Sequence, residues 1–82
     1  MTIRENLDEY LTAFYGDKDV DEMTQDIIDI IKPVYNLETD EGKAQACFEF
    51  THAMRNQKQM SDEFFNVLYS EVIYKINEVC SE

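Results

Sequence analysis

Tryptophan is absent from this chain of 82 residues, proline occurs once and glycine twice. So few turn formers leave little material for tight hairpins, which argues against a fold of many short strands. Cysteine is almost as scarce. Cys47 and Cys80 are too few for a disulfide framework, and no Cys or His spacing matches a zinc motif. No apolar run is long enough to cross a bilayer, and the opening MTIRENLDEYL carries acids where a secretory signal would carry a basic region. Positive charge is scarce relative to its opposite: seven Lys and Arg face eighteen Asp and Glu, a formal net charge of −11. A balance so negative disfavours direct binding to nucleic acid or to an anionic membrane. The expectation is one acidic cytoplasmic domain over 1–82, with both cysteines reduced in its core.

What is present is apolar periodicity. Ile3, Leu7, Tyr10, Leu11 and Phe14 recur at the spacing of one helix face, with Thr2 and Glu5 as a capping box and Gly16 as the stop. Val20, Met23, Ile27, Ile30, Ile31 and Val34 form a second stripe behind an Asp19 cap, from which Ile28 strays. Pro33 removes a backbone donor and crowds the preceding turn, so this helix should kink or stop near it. A third stripe, Ala46, Cys47, Phe50, Ala53 and Met54, follows Thr39. The fourth follows Ser61 and is the widest, from Phe64 and Phe65 through Leu68, Tyr69, Val72, Ile73 and Ile76 to Val79 and Cys80. That width marks it as the central helix. The pattern predicts a compact, all-α, antiparallel four-helix bundle with helices at about 3–15, 20–33, 40–57 and 62–80, short loops placing consecutive helices side by side.

Acids concentrate in the first half: residues 1–41 hold twelve acids and three bases, residues 42–82 six and four. One end of the molecule should therefore be much the more negative. Asp17, Asp19 and Asp21 alternate as in a calcium loop, but an EF-hand needs Gly at the sixth position and Glu at the twelfth, where this chain has Glu22 and Ile28. Capping and the helix dipole account for the acids up to Glu22. Glu22, Asp26 and Asp29 remain, on one narrow sector opposite the isoleucines, where like charges repel and only Lys32 offers relief.

Some apolar groups fall on polar faces: Phe48 among Gln45, His52 and Arg55, and Val67 and Tyr74 beside Glu71 and Glu78. Exposed aromatics are the residue type that dominates interface energy. The single histidine sits in the stretch THAMRN. On His52, Arg55 and Asn56 this stretch resembles the H-x-x-K-G motif of histidine phosphotransfer domains, with Asn56 in place of the glycine. That resemblance implies a phosphoacceptor role for His52. Glu49 and His52 form a single Glu-x-x-His pair, where a di-iron bundle needs two. No Gly-rich phosphate loop and no identifiable nucleophile–base set is present.

The expected function is non-enzymatic, with no catalytic residues, cofactor or metal. The chain would bind a basic protein partner and occlude a basic, nucleic-acid-handling surface, in the manner of a phage or bacterial inhibitor, immunity protein or antitoxin. The partner-binding residues are Glu22, Asp26, Asp29, Phe48 and Tyr74. The alternatives are a homodimeric regulatory subunit of a larger complex, and a phosphotransfer protein using His52.

Overall fold

Each helix begins where a hydroxyl or carboxylate can take up amides that the first turn leaves unpaired. Thr2 Oγ1 accepts from the Glu5 amide at 3.2 Å, so Thr2 caps the helix as expected. The Glu5 carboxylate meets the Thr2 hydroxyl at 3.2 Å and not its amide, so the reciprocal half of the expected capping box is not formed. Asp19 Oδ1 accepts from the Glu22 amide at 2.8 Å, Thr39 Oγ1 from the Gly42 amide at 3.0 Å, and Ser61 Oγ from the Phe64 amide at 3.2 Å. Caps of this kind stabilise a helix by about 1 kcal/mol each. The computed structural model describes residues 2–78, and the helices that follow these caps are α1 Ile3–Phe14, α2 Val20–Ile31, α3 Asp40–Arg55 and α4 Asp62–Glu78. Val79 and Cys80, expected at the end of α4, lie outside the described residues.

The stops have equally local causes. Tyr15 turns to extended backbone, and Gly16 takes a φ of +93° that side chains rarely adopt, reversing the chain into α2. Two residues before Pro33, α2 ends at Ile31 and not at 33, as the proline ring requires. Bonds from the Asn56 amide to the Ala53 carbonyl and from the Gln57 amide to the Met54 carbonyl tighten the end of α3, which stops at Arg55 instead of 57.

Lateral packing runs around the bundle in the order α1, α2, α4, α3. Arg4, at the start of α1, meets Glu49 of α3, and the later Thr12 meets Gln57 just past its end, so these two helices run parallel. Val20 and Phe64, each near the start of its helix, line one recess, so α2 and α4 also run parallel. Successive helices alternate in direction as expected, but α2 and α3 stand on a diagonal and are not lateral neighbours. Their link crosses the end of the bundle. Leu37 is buried there, and the Asn36 carbonyl approaches α3 so closely that a Cβ on Gly42 would stand 1.7 Å from its oxygen.

This order decides which residues enter the core. On α2 the flank away from the Asp26–Tyr10 contact with α1 faces α4, and Ile28 there is 4% exposed instead of straying outside. Met23, Ile27 and Ile31 are buried with it, while Val34, beyond the proline, is exposed. Contrary to expectation α4 is not central. Only Leu68, Val72 and Ile76 are buried among its described residues, while Phe64, Phe65, Tyr69 and Ile73 pack at the core's edge. Phe50, fully buried on α3, stacks against Tyr69 with ring centroids 5.9 Å apart. The acidic first half is likewise not an end of the molecule. Residues 1–41 supply the α1–α2 pair, which forms one side of the bundle.

Candidate docking surface

The acidic sector of α2 divides once the neighbouring elements are in place. Lys18, in the turn before the helix, reaches Asp26 with Nζ 2.7 Å from Oδ2, and the Tyr10 hydroxyl donates to the same oxygen at 2.6 Å. The ammonium also lies 4.7 Å from the centroid of the Phe14 ring. Lys18 and Tyr10 hold the Asp26 carboxyl below its ordinary pKa, and burial together with Asp26 raises the Tyr10 phenol well above its own. Relief for the α2 acids therefore comes from Lys18, not from Lys32. Asp26 belongs to a clasp between α1 and α2. Glu22 and Asp29 remain exposed, the latter accepting from Gln25 Nε2 at 3.1 Å.

On α4, helical spacing sets Glu63, Val67, Glu71, Tyr74 and Glu78 along one strip. Glu63 and Val67 share a recess with Val20 of α2, whereas Tyr69, on the opposite flank, lies 3.1 Å from Thr51 Oγ1 of α3. The strip thus borders α2. Val67 is 46% exposed and Tyr74 62% exposed. Among the described residues the ion pairs are Arg4–Glu49 and Lys18–Asp26, so Asp21, Glu22, Asp29, Glu63, Glu71 and Glu78 carry no paired countercharge. Along the α4 strip, unpaired acids and exposed apolar groups alternate.

Phe48 stands elsewhere, on the flank of α3 that borders α1. The Arg4 guanidinium lies 5.8 Å from its ring centroid, and the His52 ring meets it edge-on at 4.6 Å. It is nonetheless 55% exposed. His52 is half-buried. The five residues singled out in the sequence are thus not one patch. Tyr74 belongs to the α4 strip beside α2, Glu22 and Asp29 share the outward arc of α2, Asp26 is tied to α1, and Phe48 lies across the bundle. What helix-by-helix reading missed was that the α4 strip lies next to α2, because adjacency between those helices is a tertiary fact.

Other reactive groups offer less. Cys47 is half-buried, and burial raises its thiol pKa against a weaker opposing pull from Lys43, which disfavours the reactive thiolate. Among the described residues no group of His, Cys, Asp or Glu is arranged to hold a metal ion, and no helix is long and apolar enough to cross a membrane. No protein-family model, curated protein or solved structure matches the chain.

Proposed function

We propose that this protein is a non-catalytic binding module that covers a basic surface of another protein, acting in the cytoplasm as an inhibitor or immunity-type partner. The observation that carries the reading is the α2–α4 side, where Tyr74 and Val67 are exposed among acids without countercharges. Six unpaired carboxylates would speed encounter with a cationic surface and select against anionic ones, while the apolar groups supply contact area. Asp26 contributes less than its sequence position promised, since Lys18 already neutralises it.

The test is capture of a partner from the native cell, followed by affinity measured across salt concentration. Charge reversal of Glu22, Asp29 and Glu71 to Lys should weaken binding more than tenfold and flatten its salt dependence. Affinity indifferent to both the substitutions and salt overturns the proposal. A homodimeric regulatory subunit is the second reading, favoured by the exposed ring of Phe48 on the less acidic side. Sedimentation of wild type against Phe48→Glu separates the two.

A further inference from the structure

A second feature of the α2–α4 side goes beyond charge. Val20 of α2 and Ser61, Glu63, Phe64 and Val67 of α4 line an open recess of about 350 Å³, shallow and largely apolar. Val20 and Phe64 sit half-buried in its walls, and Val67 stands at its rim. Two helical turns further along the same strip, roughly 10 Å along the axis, Tyr74 presents a second exposed apolar group. Glu71 and Glu78 flank Tyr74 along the strip, both exposed, with exposed Lys75 beside them, four residues from Glu71 and three from Glu78.

From this arrangement we propose that the recess receives an apolar side chain of a basic amphipathic helix, which lies along the α2–α4 groove with a second apolar residue against Tyr74. The inference rests on the function proposed above and specifies the partner's chemistry. Apolar contacts two turns apart match the i, i+7 spacing on one face of a ligand helix, the usual reading of a helix laid in a groove. Glu63, Glu71 and Glu78 of the strip, none of them held in an ion pair, meet lysines or arginines on the flanks of that helix. A second copy of this chain is a poor occupant, because its own surface would bring carboxylates against carboxylates at a net charge of −11 per chain.

The experiment uses the isotopically labelled full chain at physiological ionic strength. It is titrated with a synthetic helical peptide bearing leucines on one face and lysines on the other. A control peptide has the same composition in scrambled order. The amphipathic peptide should shift the amide resonances of Val20, Phe64 and Val67 and bind at least tenfold more tightly than the control. Val67→Asp should remove that advantage, and Tyr74→Ala should reduce it severalfold. Both positions are exposed, so the fold should survive either change. Equal binding of the two peptides, with shifts confined to the acids, overturns the recess while leaving the acidic-module function standing. No binding of either peptide overturns the recess and counts against the function as well. A dimer of the free chain in sedimentation, dissociated by Val67→Asp, assigns the recess to a second copy and overturns the proposed occupant.

Discussion

The seam between α1 and α3 and the seam between α2 and α4 join parallel helices in the same bundle by opposite means. Along the first, Arg4 grips Glu49 through two nitrogens at 3.0 and 3.1 Å, and Gln57 donates to Asp8 while lying 3.4 Å from Thr12 Oγ1. The Tyr15 hydroxyl extends the polar contacts to the Ser61 amide at 3.2 Å. Along the second, among the described residues, no hydrogen bond or ion pair crosses. Ile27, Ile28 and Ile31 meet the core with Leu68, Val72 and Ile76, and the nearby Thr24 hydroxyl is buried without a partner. A seam whose polar groups are spent on one another has fewer left for a ligand. The α2–α4 seam spends none, and its carboxylates remain available along its edge.

The comparison predicts unequal responses to mutation. Leu68→Ala removes a fully buried side chain from the α2–α4 side, which apolar packing holds among the described residues. A loss of about 2–5 kcal/mol in urea denaturation is expected. A loss below about 1 kcal/mol would mean that α4 is not held by its buried line. Gln57→Leu in the opposite seam keeps apolar volume but strips Asp8, Thr12 and Gln59 of a shared partner. Because Asp8 reaches solvent and can be rehydrated, the expected cost is smaller, about 1–2 kcal/mol. Equal losses for the two variants would erase the distinction between the seams.

Much of the fold was legible because its signals are local. The four cap residues Thr2, Asp19, Thr39 and Ser61 act within three residues of themselves, and Gly16 and Pro33 end helices through their own backbone chemistry. What escaped depends on which helices touch. Ile28 looked misplaced because the flank that α2 turns to α4 could not be read from α2 alone. The breadth of α4's apolar face suggested a central position, but its aromatic edge packs at the margin of the core. Lys18 was invisible as the partner of Asp26 because a helical wheel compares residues within one helix, and Lys18 stands outside it. The candidate surface was legible in its parts, Val67 and Tyr74 among the glutamates of α4, and not in their placement beside α2.

The Lys18–Asp26–Tyr10 clasp gives the finest test, since it is a polar contact on the α1 flank of the very helix whose other flank is bare. Lys18 and the Tyr10 hydroxyl favour the ionised Asp26 carboxyl, so the folded chain binds that proton less readily than the unfolded chain does. The clasp's contribution is therefore complete at neutral pH and lost as pH falls below the usual carboxylate range of about 4. Asp26 raises the Lys18 ammonium pKa in turn, so loss on the alkaline side begins only above about pH 10. The pair is about one-third exposed, and solvent keeps the effect modest. Melting temperatures of wild type and Lys18→Met should differ by a few degrees at most near pH 7, and the gap should close toward about pH 3. A gap that persists unchanged at that pH would mean that Lys18 acts through its contact with the Phe14 ring alone. Asp26 would then return to the unpaired acids, and the division of α2 into a clasped flank and an open one would no longer hold.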